Sequence, residues 1–531
     1  MRWKEILNPW PGRPLPLWMI FPVVFVALYL SHFMLLRLPY YWDEAGYYIP
    51  AAWDFFRTGS LIPTSTLTNA HPPLPSLYLA LWWQLSGFSP DVTREAVLLV
   101  AALGLLAVGR LAMQLTGVVS VAFWTVLLTG LYPIWFAQSS LAHADIFAAA
   151  CVLWGLVYAL PRRGRKAWAA ALWFAAAALA KETAVVIPLT LAAIDAAEGW
   201  RFGGQARKKL WREAALLGAS ILPLMGWYGY HRAKTGFLFG NPEYLRYNAE
   251  ATMTPLRIAA AFGHRILHLT AHMNLFVPVG IACAALLLKP RPDAEGEERA
   301  SIAPQAMLRI FLLLLANAAL FSVLGGALLT RYLLPMYPLV LLVAVTTLYR
   351  RAPYWQGLAL VSAAAFVAGI FVNPPYGFAP EDNLAYAHVI RLDQSGIAEL
   401  AKEARGATVL TAWPVSDQLT RPELGYVKKP WDVVAIDDFS QAQIARAAEE
   451  PEAYSAALVF STKYDPPTLL DKLGGERLEE RYFGLHHDLE PEAIAQQLGG
   501  TLVWKRDDDG MWIALIRFNR PVEARLESGA K

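Results

Sequence analysis

Long apolar segments alternate with short charged ones over the first 372 residues of the chain. A helix that crosses a bilayer needs roughly 17 to 25 predominantly apolar residues. Segments near this length predict a polytopic α-helical membrane protein with about 11 spans, at residues 17–36, 94–115, 118–136, 140–160, 167–180, 183–197, 213–230, 272–288, 307–324, 332–348 and 354–372. The shorter apolar segment 72–86 begins with two prolines and predicts a helix that lies at the membrane interface.

Basic residues between these segments predict the orientation of the chain. Lys and Arg concentrate in cytoplasmic loops, and residues 162–166 and 350–351 form clusters of this kind. The amino terminus is therefore predicted inside and the carboxyl-terminal tail outside, with residues 39–93 as the first outer loop. Residues 232–270 also fall outside although they carry several basic side chains, as a loop that handles phosphate would.

Charge density rises after residue 372, which predicts a change from a membrane domain, 1–372, to a soluble α/β domain, 373–531. Residues 407–411 and 456–460 have the composition of buried strands. Residues 501–504 and 511–518, separated by a charged segment, predict a hairpin. The predicted topology makes this domain extracytoplasmic.

Composition narrows the class of protein further. The chain has 531 residues, of which 56% are hydrophobic and 17% charged, and its mean hydropathy is +0.34, which is too apolar for an ordinary soluble protein. A net charge of +3 gives no indication of nucleic-acid binding. The two cysteines, Cys151 and Cys283, lie inside apolar segments and predict neither a disulfide framework nor a cysteine metal site.

Two adjacent acids, Asp43 and Glu44, follow the first predicted span and stand beside aromatic residues. At a bilayer surface they can reach a lipid head group. Neighbouring side chains on a helix diverge by about 100 degrees, so the two acids cannot share a proton. We expect one of them to act as a general base or to orient an acceptor. The structural alternative is that both stabilise the first turn of an interfacial helix.

Asp145 lies about one turn inside the outer end of its predicted span, where an acid is costly unless it is partnered or hydrated. We expect it to face the same cavity as Asp43, although it could also complement a helix dipole. Together with His71, His143 and Tyr47, it is predicted to position an acceptor or donor. No metal ligand set is predicted, because a third ligand near His143 and Asp145 is missing from the local sequence. A divalent metal held by distant residues stays open.

Two cations are predicted to bind phosphate. Lys181 ends one predicted helix and Glu182 begins the next, an arrangement that helix dipoles alone would also favour. Arg331 lies at the outer, amino-terminal end of a predicted span, where the helix dipole disfavours a cation. A negative group should compensate it, and a lipid phosphate suits the planar fork of a guanidinium.

The membrane domain resembles the GT-C membrane glycosyltransferases, and specifically the bacterial branch related to protein O-mannosyltransferases and to the aminoarabinose transferase of lipid A. The resemblance rests on the order of several short motifs, dense to about residue 188 and sparse beyond. These motifs are Asp43-Glu44, His71-Pro72-Pro73-Leu74, Asp145, Ala180-Lys181-Glu182 and Arg331-Tyr332-Leu333-Leu334-Pro335.

This resemblance implies a transferase of the bacterial inner membrane that moves a sugar from a polyprenyl-phosphate donor to a lipid, glycan or protein acceptor at the outer face. It implies inversion of the anomeric carbon and makes Asp43 the catalytic or acceptor-orienting acid. Two departures put the aminoarabinose donor in doubt. Gly46 stands where that branch tends to carry an arginine, and His71 where it tends to carry a lysine.

Two other classes of function compete with this interpretation. A transporter or flippase for a lipid-linked substrate also has many spans and a few buried charges, but its charges tend to lie near the midplane on broken helices. Here the singled-out charges cluster at one rim. A membrane-anchored binding protein would instead depend on its tail and tolerate changes at Asp43.

Overall fold

The computed structural model describes residues 17–161, 165–242, 253–293, 296–324, 328–464, 466 and 488–519. Part of the basic cluster used to predict the orientation, residues 162–164, lies outside these ranges. Sixteen α-helices fill the described part before residue 373. They are α1 Leu17–His32, α2 Ile49–Thr58, α3 Leu74–Ser86, α4 Pro90–Thr116, α5 Val119–Leu131, α6 Pro133–Gln138, α7 Ala144–Ala159, α8 Ala167–Ala180, α9 Val186–Arg201, α10 Gly204–Ala219, α11 Leu222–Thr235, α12 Pro255–Thr270, α13 Phe276–Ala285, α14 Pro304–Val323, α15 Tyr337–Arg351 and α16 Trp355–Phe371.

Three helical segments of the described chain are long and apolar enough to cross a membrane: Pro90–Thr116, Glu182–Arg201 and Pro304–Val323. The pair Pro255–Asn274 and Phe276–Ala285 would add a fourth as one broken span, bent by 100°. Five shorter apolar helices, including Ala144–Ala159 and Ala167–Ala180, accompany them. The count of eleven spans and their orientation therefore stay predictions.

Local breaks explain why many predicted spans appear as shorter helices. The segment 118–136 divides at Tyr132, whose backbone is extended and which precedes Pro133. The segment 213–230 divides between α10 and α11. A hydropathy window counts apolar residues and does not detect these backbone changes.

A buried ion network ties four segments of the helical region together. Arg165 binds Asp195 of α9 at 2.5 Å and Glu213 of α10 at 2.8 Å. Arg309 of α14 binds the other oxygen of Asp195 at 2.8 Å. Because Asp195 is fully buried, losing either cation would leave part of its charge unpaired, and the network therefore fixes the packing of these helices.

The carboxyl-terminal region contains one five-stranded mixed sheet in the order β2-β1-β3-β5-β4. Its strands are β1 Val409–Ala412, β2 Val433–Ile436, β3 Ala456–Phe460, β4 Thr501–Asp508 and β5 Met511–Arg517, and its helices are α17 Ala385–Glu403, α18 Val415–Thr420, α19 Gln441–Ala447 and α20 Pro491–Leu498. The first three strands run parallel, and β5 is antiparallel to β3 and β4. Positive φ at Asp509 and Gly510 closes the predicted β4–β5 hairpin. The short strand β2 was not predicted.

The sheet packs directly on the helical region. Its apolar core, which includes β1, β3 and β5, continues into Leu38, Tyr41 and Phe136 from the segments that precede α2 and α7. Tyr386 of α17 also donates to or accepts from Ser140 at 3.0 Å. These contacts fix the position of the sheet over the loop that precedes α2.

Candidate active site

The loop that carries the acid pair has an unusual backbone. Trp42 adopts a positive φ of 44°, and residues Glu44–Tyr48 form a single π-helical turn that leads into α2. A π-helical turn inserts an extra residue and is frequent at functional sites. Asp43 and Glu44, which are adjacent at the start of this turn, point in different directions and have different neighbours.

Glu44 is fully buried in a structural network. One carboxylate oxygen accepts hydrogen bonds from the backbone of Ala142 at 2.6 Å and from Arg94 at 3.3 Å. The other accepts from the backbone of Tyr41 at 2.9 Å and again from Arg94. Glu44 and Arg94 are both 0% exposed, so the pair holds the loop against α4 and the segment before α7.

Asp43 instead faces Arg331, at the centre of a cluster of carboxylates. Nη2 of Arg331 donates to Asp43, and Nη1 donates to Glu381 at 2.5 Å. Nε lies 3.4 Å from Asp145. The guanidinium thus joins three acids from three distant parts of the chain, while the side chain of Asp43 keeps 35% of its surface exposed.

Lys181 supplies the second cation of this cluster. Its ammonium lies 2.5 Å from the second oxygen of Asp145 and 4.1 Å from the centre of the Tyr332 ring. Asp145 is therefore buried with a cation on each oxygen, which compensates the cost of placing an acid there. The structure brings four of the predicted site residues, Asp43, Asp145, Lys181 and Arg331, into one set of contacts.

The other predicted site residues surround this cluster. His71 lies 3.1 Å from Glu182 and packs against the rings of Tyr47 and Tyr48. His143 is fully buried, with Nδ1 2.9 Å from Gln138 and 3.3 Å from Arg331. Its Nε2 has no hydrogen-bond partner among the residues with described positions. His71 and Tyr47 line the large cavity described next.

A cavity of about 1490 Å³ lies between residues 39–93, the rest of the helical region and the sheet. Asp43, Lys181, Arg331 and Glu381 give it a charged wall. A second wall is mainly apolar and comes from α9, α11 and α14 and the segments next to them, with Val185, Val186, Leu189, Ala193, Ile221, Leu224, Phe239, Leu320, Phe321 and Leu324. A charged wall beside an apolar one suits a ligand with an ionic head group and a hydrocarbon tail.

The carboxyl ends of the three parallel strands form the third wall. Trp413 follows β1, Asp437 and Asp438 follow β2, and Thr462 and Lys463 follow β3. Ligands of α/β proteins commonly bind at this edge of a sheet. Trp413 also packs edge-on against Trp42 at 4.7 Å between ring centroids, so the sheet contributes an aromatic surface next to Asp43.

Gly46 allows Trp413 to approach this closely. A Cβ atom at position 46 would lie 2.8 Å from Cζ2 of Trp413, closer than real Cβ contacts permit. The position at which the resemblance implies an arginine is therefore covered by an indole from the carboxyl-terminal region.

The sequence did not single out Glu381, although this residue contacts Arg331 at the centre of the cluster. It lies in the turn Pro380–Asp382 between α16 and α17, directly beside Asp382. Burial raises the pKa of Glu381 to about 8. Arg331 opposes this rise, while Asp43, Asp382 and Asp145 add to it. An acidic pair after the last apolar segment, matching the pair after the first, was the signal available in the sequence.

Arg265 of α12 is a second residue that the sequence analysis did not single out. It is fully buried, and its Nη2 lacks a hydrogen-bond partner within the described ranges. Its guanidinium carbon lies 5.8 Å from the centre of the Tyr332 ring, and Tyr332 lines the cavity. A buried cation with a donor to spare adds positive potential to the charged wall.

Within the described ranges, no group of three or more His, Cys, Asp or Glu side chains is arranged to hold a metal ion. Both acids of the charged wall, Asp43 and Glu381, pair with Arg331, and Lys181 pairs with Asp145. The arrangement can therefore bind an anion and move a proton with its own side chains.

The overall architecture is a GT-C fold, in which a largely helical membrane region carries a small sheet at its carboxyl-terminal end. Solved structures of ArnT share this architecture. The structure of ArnT from Cupriavidus metallidurans in the apo state matches with a TM-score of 0.52. The structure of ArnT from the same organism bound to undecaprenyl phosphate matches with a TM-score of 0.56.

The likeness to ArnT extends over nearly the whole of both proteins. Sequence identity is 15% in both cases, and each match covers 94% of this chain and 98% or 97% of the ArnT chain. No protein-family model matches the sequence, and no curated protein does so significantly. At this identity the likeness establishes the fold, and function has to be argued from the site.

Proposed function

We propose that this chain is an integral-membrane glycosyltransferase that moves a sugar from a polyprenyl-phosphate donor to an acceptor at the extracytoplasmic face. The observation that carries the proposal is the charged wall around Arg331, which adjoins an apolar wall in one large cavity. The fold likeness to ArnT, of which one structure is bound to undecaprenyl phosphate, supports the same class of donor.

The donor would bind with its phosphate near Arg331 and Lys181 and its polyprenyl chain along the apolar wall. Arg331 offers a planar fork that matches phosphate oxygens, and Lys181 adds a point charge. When the sugar leaves, the phosphate gains a second negative charge. Cations help most where charge develops, so these two residues would stabilise the departing phosphate.

Asp43 would accept the proton of the acceptor or orient its nucleophilic atom. It is the partly exposed acid of the cluster, whereas Glu44 is buried with both oxygens hydrogen-bonded. Asp145 would hold Lys181 and Arg331 in position, and His143 would pack behind Arg331. We therefore propose a structural role for Glu44. Attack by the acceptor from the side opposite the phosphate would invert the anomeric carbon.

The acceptor would enter beside the sheet. Trp413 and the polar residues at the ends of β2 and β3 form a surface that combines an aromatic face with hydrogen-bonding groups. Such a surface suits a hydroxyl-bearing head group of a lipid, a glycan or a glycosylated protein. His71 and Tyr47 would line the passage between this surface and Lys181.

The test is sugar transfer by the purified full-length protein in membrane vesicles supplied with radiolabelled polyprenyl-phosphate sugars and extracted envelope lipids and glycans. The proposal predicts label in an acceptor and release of polyprenyl phosphate. Movement of the intact labelled lipid between leaflets, without transfer, would overturn the proposal in favour of a flippase.

A further inference from the structure

The guanidinium of Arg331 is surrounded by carboxylates. Its three nitrogens face Asp43, Glu381 and Asp145, and its side chain is 3% exposed. Nη1 donates to Glu381 and also faces Nδ1 of His143, so a phosphate can accept a hydrogen bond from Nη1 only if one of these partners gives way. Asp145 keeps a second cation, Lys181, but Glu381 has Arg331 as its ion-pair partner in the described structure.

With its acids ionised, the cluster around Arg331 has a negative net charge before any ligand binds. Two cations, Arg331 and Lys181, face three acids in direct contact. A donor phosphodiester would add another negative charge to a buried site, where an unpaired anion is costly. Uptake of one proton by the cluster would restore the balance.

Glu381 is the acid best placed to take this proton. It lines the cavity, from which water can deliver a proton, and it lies in a turn rather than in a membrane helix. Burial raises the pKa of Glu381 to about 8, so its carboxyl group can gain or lose a proton at a pH close to neutral. The charged and titratable groups that act on it are Arg331, Asp43, Asp145, Asp382 and Tyr41, and His143 contacts the same Nη1 of Arg331.

The backbone around Glu381 is anchored without its side chain. Gln138 donates to its carbonyl oxygen at 3.2 Å. Next to it, Asp382 is held by His272 at 2.8 Å and by the hydroxyl of Thr330. The carboxyl group can therefore leave Arg331 while the turn stays in place.

We propose that Glu381 is a positioning residue that holds Arg331 before the donor binds, and that the donor binds only when Glu381 carries a proton and has released Nη1 of Arg331 to the phosphate. The inference rests on the proposed function and adds proton-linked donor binding to it. Its consequence is that donor affinity falls as the pH rises above the range in which Glu381 is readily protonated.

The experiment measures binding of undecaprenyl methyl phosphate to the full-length protein in detergent micelles between pH 6.5 and 9.5, by calorimetry. The single charge of this phosphodiester does not titrate in that range. For the parent, Kd should rise above pH 8 and approach a tenfold increase per pH unit, as expected for uptake of one proton. Glu381→Gln imitates the protonated side chain, so its Kd should stay constant.

Asp393→Asn is the matched control, because Asp393 is also a buried acid with a raised pKa but lies in α17, outside the cavity lining. It should keep the pH dependence of the parent. Equal slopes in the parent and Glu381→Gln, or a flat parent, would overturn the inference and leave the transferase proposal standing. Absence of binding by the parent at every pH would overturn the proposed donor and, with it, the inference.

Discussion

The guanidinium of Arg331 donates to the carboxylate of Asp43, although 288 positions separate the two residues in the chain. One belongs to the loop before α2 and the other to the 3₁₀ turn before α15. The contact joins the candidate base to the candidate phosphate ligand. A change at either residue should therefore alter catalysis.

Arg331→Lys should reduce kcat/KM for sugar transfer by about 100-fold, because a single ammonium cannot reproduce the fork that contacts Asp43 and a phosphate at the same time. Steady-state transfer at matched folded yield measures this. Arg309→Lys is the control, since Arg309 is a buried, carboxylate-bound arginine of α14 outside the cavity lining. A similar loss in both variants would contradict a specific role for Arg331.

Glu44→Gln should destabilise the protein and leave the transfer rate per folded molecule within a few-fold of the parent. The substitution leaves Arg94 buried without its counter-charge, and breaking such a pair costs about 3 to 5 kcal/mol. Thermal unfolding in micelles, measured beside transfer activity, separates the two effects. A catalytic role for Glu44 would appear as lost transfer at an unchanged unfolding temperature.

Asp393 should give the carboxyl-terminal region a pH-dependent stability. Burial raises its pKa to about 7, whereas an unfolded Asp titrates near 4. Between these values the folded chain keeps a proton that the unfolded chain has lost, so stability falls as the pH rises from about 4 to 7, by about 1.4 kcal/mol per pH unit at most.

Asp393→Asn should remove this slope and raise the unfolding temperature at pH 8. Its amide can still accept from Gln418 Nε2, now 2.9 Å from the carboxylate, and can donate to Gln418 Oε1, which lacks a partner in the described structure. Thermal unfolding between pH 5 and 8 measures both effects. An unchanged slope would assign the pH dependence to other groups.

Trp413→Ala should raise the KM for the acceptor by about threefold to tenfold and leave the KM for the donor nearly unchanged, because an aromatic contact is worth about 0.5 to 1.5 kcal/mol. Gly46→Ala should act in the same direction by displacing the indole. Trp504→Ala, which changes a partly buried tryptophan on β4, is the control. A change confined to the donor KM would move Trp413 to the donor site.

The sequence predicted the parts of the site that depend on local chemistry. Asp145, Lys181 and Arg331 stood out because a charge at the end of an apolar segment needs a partner. Their mutual contacts depend on how distant helices pack, and periodicity carries no information about that. Glu381 and Trp413 were missed for the same reason, since each lies in a short connection whose importance arises from a neighbour far away in the chain.

In the fold, too, features with a strong local pattern were predicted, and features without one were missed. Strand β3 was predicted at its observed bounds, because its five residues are apolar and fully buried. Strand β2, with partly exposed residues and no clear alternation, gave no such signal. The helices were located well, but backbone breaks such as the one at Tyr132 shorten them relative to the apolar segments.

The most direct test of the proposed mechanism compares Asp43→Asn with Glu44→Gln in sugar transfer from a polyprenyl-phosphate donor, at matched folded yield. The two acids are adjacent in sequence, but Asp43 contacts Arg331 in the cavity wall and Glu44 is buried against Arg94. Asp43→Asn should lose at least ~100-fold, as expected when a general base is removed, while Glu44→Gln keeps most of its transfer. Transfer by Asp43→Asn at the rate of the parent would contradict the mechanism.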